Sequence, residues 1–356
     1  MHTVHVFFDQ QENQDPTQDE EIIQTFEQFK QELHNIHQQF DSANKNRKQK
    51  ILQSYDLFSQ LKKNLTNAEC VTNAWLKFFE IGTHFRFNYQ HVFCNAEFPG
   101  AFISCINHLR QTQKTTNKKH TWVASSYLNG TLNDQFLLHQ KFPQNWLMND
   151  HMNGDITSNE NIIAIETKLK HKITLYTADG SIDIKNQFHQ QEQANFKLFV
   201  GQVLCGLKVL DTHGSAVIKL FGAIELYTIS VIYLFSKHFQ NTYIVKPMAS
   251  KTQNDELYLV GNDFKTEQYD QTITLLQQAL QNTNIVPVCN VPTHVIHDFL
   301  YAIEPIQRKR INKLNEILQS IRSNTPLHST RKTQAQQLWM SLYCVKPIET
   351  YLTKTH

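Results

Sequence analysis

The stretch Ile173-Thr174-Leu175-Tyr176-Thr177-Ala178-Asp179-Gly180 decides how the rest of the chain is read. It has the apolar and β-branched make-up of a buried strand, and it stops at an acid followed by glycine. In an open α/β sheet the carboxyl end of a strand is where ligands gather. Two further apolar runs carry a charge at their border in the same way: Ala216-Val217-Ile218 ends at Lys219, and Leu257-Tyr258-Leu259-Val260 is preceded by Glu256. A purely structural sheet has little reason to keep such charges.

Upstream, His91-Val92-Phe93-Cys94 reads as a strand, Asn95 to Gly100 as a tight turn, and Ala101 to Leu109 as an apolar helix. Strand, turn and helix form the first half of a nucleotide-binding βα unit, in which the N–H groups at the helix start accept an anion. The turn holds one glycine, so the dinucleotide fingerprint of a hydride-transfer enzyme is absent, as is a phosphate-binding G-x-x-x-x-G-K-[ST] loop. Trp122-Val123-Ala124-Ser125-Ser126 predicts the next strand, and Asn153-Gly154-Asp155-Ile156-Thr157 a loop carrying an acid near the sheet.

Downstream, a helix is expected from about Glu192 to Leu210, ended by a turn at His213-Gly214-Ser215, and another from Ile224 to Phe239. Tyr243-Ile244-Val245 and Leu257 to Val260 lie too close for a parallel crossover and predict an antiparallel hairpin at the sheet edge. The fold class that follows is α/β: a Rossmann-like, mostly parallel sheet with an antiparallel edge hairpin and helical N- and C-terminal extensions. The expected divisions are 1–62 for the N-terminal extension, 63–262 for the sheet domain and 263–356 for the C-terminal extension.

The extensions are read from periodicity. A short strand-like opening, Val4 to Phe8, precedes a polar, acidic stretch; then Ile22, Ile23, Phe26, Phe29, Leu33, Ile36 and Phe40 recur at helical spacing on one face. Residues 41–50, with Lys45, Arg47, Lys48 and Lys50, read as a solvated loop, with phosphate contact as the alternative. A second helix is expected from Ile51 to about Leu61. In the C-terminal extension Ile273, Leu275, Leu276 and Leu280 mark one helix, and Ile311, Leu314, Ile317, Leu318 and Ile321 another. Arg308, Lys309, Arg310 and Lys313 beside the latter read as a solvated face, with an RNA or partner surface as the alternative.

The 356 residues can bury a large core, and the net charge of +2 permits a polyanionic partner without demanding one. Six cysteines without C-x-x-C spacing read as free thiols in a reducing compartment, not as a disulfide framework or zinc site. The histidine pairs His34/His37 and His294/His297 read as surface or packing residues, so no metal is expected. The opening lacks a signal peptide and the longest apolar region carries Lys219 and Glu225, so an intracellular protein without a membrane partner is expected.

A lysine among Trp75, Phe78 and Phe79 ordinarily reaches back to solvent. Lys77, however, is the first member of an ordered set: Lys77, Asp179, Lys219, Glu256. That order resembles the K-D-K-E tetrad of the FtsJ-like RNA 2′-O-methyltransferases, and the surrounding motifs occur in the family's sequence. Thr72-Asn73-Ala74-Trp75-Leu76-Lys77-Phe78-Phe79-Glu80-Ile81 looks like the helix of the first lysine, Pro99-Gly100-Ala101-Phe102 like the cofactor loop, and Gly154-Asp155-Ile156 like the adenine-side acid. Thr177-Ala178-Asp179-Gly180, Val217-Ile218-Lys219 and Lys246-Pro247, Ser250-Lys251 and Glu256 to Val260 complete the set. Over residues 50–262 the likeness is greatest to the FtsJ-like methyltransferases of asfarvirus-type large DNA viruses.

The resemblance implies an enzyme that binds S-adenosylmethionine and methylates a ribose 2′-OH, near the 5′ cap of mRNA in the cap-modifying members. It implies a catalytic Lys77, Asp179, Lys219 and Glu256; a cofactor site of Asn95, Ala96, Glu97, Pro99, Gly100, Ala101, Phe102, Asp155 and Asp179; and RNA contacts from Lys246, Ser250 and Lys251. Partners would be capped RNA and subunits of capping or transcription machinery, and the location host cytoplasm or virion. Lys219 would serve the ribose hydroxyl as a neutral base or as a charged stabiliser, since burial and Lys77 lower its pKa while Asp179 and Glu256 raise it. Two departures are visible: Glu97-Phe98 is bulky where many relatives have small residues, and no acid follows the strand at Ser125-Ser126. They support a rival reading, a fold that has lost its cofactor and serves as an RNA-binding or assembly subunit.

Overall fold

The computed structural model describes residues 1–6, 16–113, 120–128, 134–148, 153–169, 171–182, 184, 190–251, 254–267 and 269–353. In chain order the elements are β1 (His2–His5), α1 (Pro16–Ser42), α2 (Lys45–Ser54), α3 (Leu61–Asn64), α4 (Asn73–Phe85), β2 (His91–Asn95), α5 (Ala101–Gln113), β3 (Thr121–Ser125), α6 (Leu138–Lys141), α7 (Asn159–Lys168) and β4 (Ile173–Ala178). They continue with α8 (Gln191–Val209), β5 (Leu210–Phe221), α9 (Leu226–Ser236), β6 (Phe239–Lys246), β7 (Glu256–Phe264), α10 (Tyr269–Gln281), α11 (Thr293–Ser323) and α12 (Ser329–Leu342).

Among the described residues one sheet of seven strands runs β1-β6-β7-β5-β4-β2-β3. The segment β3-β2-β4-β5 is parallel, β7 lies antiparallel between β5 and β6, and β1 is antiparallel to β6. The β6–β7 hairpin is therefore antiparallel as expected but does not form the edge. β7 turns back into the sheet to pair with β5, and His2–His5 covers β6. The strand-like reading of Val4 to Phe8 is correspondingly shorter, with Phe7 and Phe8 outside the described residues. Trp146 adds a single parallel bridge to Ala124 beyond β3.

Both faces of the sheet are covered, which is why its strands are apolar at consecutive positions. Tyr176, Ala216, Ile218, Leu257 and Leu259 face α7 to α10, whereas Leu175, Val217, Tyr258 and Val260 face α4, α5 and Trp339. A third core joins Phe29, Leu33, Ile36 and Phe40 of α1 to Ile311, Leu314, Ile317 and Ile321 of α11, so the two extensions pack on each other. The side chains of Ile22 and Ile23 lie outside the description. No helix of the described residues is long and apolar enough to cross a membrane.

Four local readings are corrected. Residues 41–50 are not a loop: Asn44 accepts the Arg47 N–H at 3.1 Å and starts α2, and Lys48 is buried, donating to the Phe40 carbonyl at 3.1 Å. The predicted helix from Ile51 to Leu61 is then split between the end of α2 and α3. His213-Gly214-Ser215 does not separate helix from strand, because β5 already starts at Leu210 and absorbs the irregularity as a register shift against β4. Arg310 is not on a solvated face. It is buried, ion-paired with Asp255, and its guanidinium lies 2.7 Å from His37 Nε2. His37 thus serves packing in α1.

Breaking a buried ion pair leaves a desolvated charge without compensation. Arg310→Met should lower stability by about 3 kcal/mol, measured as a reduced midpoint in chemical denaturation, whereas truncation of the exposed Arg308 should change it little.

Candidate active site at the carboxyl ends of the strands

Strand register assembles the site. Ala178 pairs with Ile218, which brings the next residues, Asp179 and Lys219, level with each other. Lys219 pairs with Tyr258 across β5 and β7, and Glu256 lies two residues from Tyr258, on the same face. The fourth group comes from α4, whose start is set by Thr72: its hydroxyl accepts the Trp75 N–H at 3.2 Å. Trp75, Phe78 and Ile81 bury one side of this helix and aim Lys77 at the sheet.

The four residues meet. Lys77 Nζ lies 2.7 Å from both carboxylate oxygens of Glu256. Lys219 Nζ is 3.2 Å from Asp179 Oδ1, 3.7 Å from Glu256 Oε2 and donates to the Asp179 carbonyl at 3.1 Å. Two cations and two anions balance, as a site removed from water requires. Burial alone would raise the Glu256 pKa, but Lys77, Lys219 and Lys246 hold it well below the usual carboxylate range. Burial lowers the Lys219 pKa, yet Asp179 and Glu256 outweigh it and the net displacement is upward. Lys219 is an ammonium in this site.

Two residues that sequence reasoning missed complete the cluster. Tyr258 donates to Asp179 Oδ1 at 2.8 Å. Gln202 of α8 accepts the Gly180 N–H at 2.9 Å and donates to the Lys219 carbonyl at 3.1 Å, tying the ends of β4 and β5 together. Strand alternation from Glu256 could have indicated Tyr258; nothing local marks Gln202.

Lys246 and Ser250 are not placed to touch RNA. Lys246 Nζ is buried, donating to Asn254 O and Oδ1 at 2.9 Å and to the Glu256 carbonyl at 2.7 Å, and burial lowers its pKa to about 7. Ser250 is also buried and donates to Glu256 Oε1 at 2.7 Å. Lys251 alone of the three is exposed.

At the end of β2, Asn95 Oδ1 accepts the Ala96 N–H at 2.8 Å, and the turn continues through Pro99 to Gly100, whose φ of +108° suits glycine. The start of α5 is not open to an external anion. Glu97 turns inward and its Oε1 accepts the N–H groups of Phe102 at 2.8 Å and Ile103 at 3.1 Å. Burial, with Asp179 adding to it, pushes Glu97 up to about 8. Ala101 and Phe102 are buried, and Asp155 Oδ1 accepts from Thr157 N and Oγ1 at 2.9 and 2.7 Å. Ser125, at the end of β3, has a buried hydroxyl without a hydrogen-bond partner among the described residues.

The FtsJ-like methyltransferase family model matches residues 70–264, from just before α4 to the end of β7, and so includes the whole cluster. The chain belongs to the FtsJ-like methyltransferase family. A relative in African swine fever virus, named "Probable methyltransferase EP424R", is 35% identical over 282 residues, covering 73% of this chain and 66% of its own length. The match thus spans slightly under two thirds of that viral relative. "Cap-specific mRNA (nucleoside-2'-O-)-methyltransferase 2" of Drosophila melanogaster is 29% identical, covering 81% of this chain and 45% of its own. A solved ribosomal RNA methyltransferase from Plasmodium falciparum aligns with a TM-score of 0.38 at 17% identity, over 54% of this chain and 97% of that one.

A raised carboxyl pKa means that the folded state keeps a proton which the unfolded chain releases, so stability falls as pH rises from the unfolded value towards the folded one. For Glu97 that window runs from 4.5 to about 8, and Glu192, pushed by burial and Asp255 to about 7, acts in the same direction. Glu97→Gln should flatten the decline in denaturation midpoint across this window, leaving the smaller part due to Glu192. An unchanged pH profile would show that Glu97 is ionised in the folded protein.

Proposed function

We propose that the protein transfers a methyl group from S-adenosylmethionine to a ribose 2′-OH near the 5′ end of capped RNA. The observation that carries this reading is the contact of Lys77, Asp179, Lys219 and Glu256 at the strand ends within the family match. The cap-specific name of the Drosophila relative supports the substrate. The cofactor supplies a methyl on a positively charged sulfur; Asn95 to Phe102, Asp155, the Ser125 hydroxyl and Asp179 would hold it, the inward side chains among them by shaping the turn.

What the chain must do is align the ribose oxygen, keep water out and handle one proton. Lys219, held by Asp179 and Glu256 as an ammonium, is suited to orient the hydroxyl and stabilise negative charge developing on its oxygen. Glu256, flanked by two lysines, is too weak a base to take the proton itself; the ribose oxygen would bond to the methyl as the C–S bond breaks, and the hydroxyl proton would pass to solvent water. Its task is to hold Lys77 and Lys219 in fixed positions, while Tyr258 fixes Asp179. Lys251, exposed on the loop between β6 and β7, would meet a phosphate of the RNA.

The protein should methylate 5′-capped RNA from labelled S-adenosylmethionine, and Lys219→Ala should lower kcat by about 100-fold or more while leaving S-adenosylhomocysteine affinity, measured by calorimetry, within about twofold. Transfer undiminished in Lys219→Ala would remove the mechanism. Absence of both cofactor binding and transfer in the wild type would favour an assembly subunit that has lost catalysis.

A further inference from the structure

The loop from Pro247 to Asp255 connects β6 to β7; it carries the buried Ser250, which donates to Glu256, and the exposed Lys251. Ala249 is buried in the core shared with α4 and α5, and Met248 packs against it, but the loop is not packed on every side. A cavity of about 390 Å³ lies against Lys246, Pro247, Met248 and Asp255, between the loop and α11 and α12. Polar contacts from α4 hold the loop's main chain in addition.

The central contact is a carboxylate on α4. Glu80 has no exposure to solvent, and its oxygens accept the N–H groups of Met248 at 2.6 Å and Ala249 at 2.8 Å. The same Oε1 accepts the indole N–H of Trp339 at 2.8 Å. Trp339 is fully buried on α12, packed against Phe79 and Tyr343, and lies outside the family match. Glu80 stands three residues after Lys77, so the two share a helix face. One turn of α4 therefore reaches Glu256 directly through Lys77 and indirectly through Met248, Ala249 and Ser250.

We infer that Glu80 is a positioning residue for methyl transfer, and that Trp339 of the C-terminal extension braces it, so that α12 sets where the RNA-facing loop lies relative to Glu256. The inference rests on the methyl-transfer reading for its catalytic meaning, but the geometry can be tested separately. Burying a carboxylate is unfavourable unless donors compensate it; here three N–H groups do so, and losing any of them weakens the other two. Burial displaces the Glu80 pKa upward, while those three donors and the Met1 ammonium oppose the displacement. A carboxylate serving only core packing would have no reason to spend two acceptors on consecutive amides of the loop that carries Ser250.

The test uses the full chain with Trp339→Phe, which keeps the aromatic packing and removes the N–H, and with Glu80→Gln. In both, hydrogen exchange at the Met248 and Ala249 amides should accelerate by about tenfold, with β4 and β5 amides unchanged. KM for capped RNA should rise by about fivefold or more, S-adenosylhomocysteine affinity should stay within about twofold, and kcat should fall further in Glu80→Gln than in Trp339→Phe. A general structural role would lower thermal stability without this division between RNA and cofactor. Unchanged exchange at the two amides together with an unchanged RNA KM in folded Trp339→Phe overturns the inference while leaving methyl transfer intact. If neither variant folds, the wild type decides: Met248 and Ala249 amides should exchange as slowly as those of β7, and rapid exchange overturns the proposal. Absence of methyl transfer by the wild type would fail the functional reading, and the exchange result would still decide the geometry.

Discussion

A single carboxylate shared by two ammonium groups organises the centre of this molecule. Glu256 begins β7, receives Lys77 on both oxygens and stands 3.7 Å from Lys219, which Asp179 holds from the other side. None of these charges would be tolerated alone at this depth, so the four must be brought together for any of them to stay ionised. That demand explains the sheet order. Inserting β7 antiparallel between β5 and β6 puts Glu256 beside Lys219, which an outer hairpin would not do.

A second regularity concerns the loops at the same edge of the sheet. Glu97 accepts two consecutive N–H groups at the start of α5, Glu80 two consecutive N–H groups of the β6–β7 loop, and Glu192 those of Ala223, Ile224 and Glu225 after β5. Gly222 makes room for the last of these. Its φ is +84°, and a Cβ there would stand 1.9 Å from Glu192 Oε2. Loops at strand ends leave main-chain N–H groups without sheet partners, and an interior acid aimed at those amides satisfies and fixes them.

The helical extensions take part in this arrangement. Arg310 of α11 pairs with Asp255 at the end of the β6–β7 loop, and Trp339 of α12 supports Glu80 from behind. Because α1 and α11 share a core, the N-terminal extension is tied to the same loop through His37 and Arg310. The family match ends at residue 264, yet Asp255 and Glu80 within it meet Arg310 and Trp339 well beyond it.

The sequence by itself determined the alternation of strands and helices, because apolar periodicity follows from which faces are buried. It also determined the order Lys77, Asp179, Lys219, Glu256, because charges at strand borders stand out against apolar runs. Only the tertiary structure decided the direction in which long side chains run. Lys246, Lys48 and Arg310 look like surface cations in the chain, but their partners, Asn254 and Glu256, Phe40, and Asp255 with His37, become neighbours only after strands and helices pack. The inward turn of Glu97 and the bracing of Glu80 by Trp339 were hidden for the same reason. Hydrophobic pattern specifies a face, whereas a hydrogen bond specifies an atom, and the atoms paired here are brought within reach by folding.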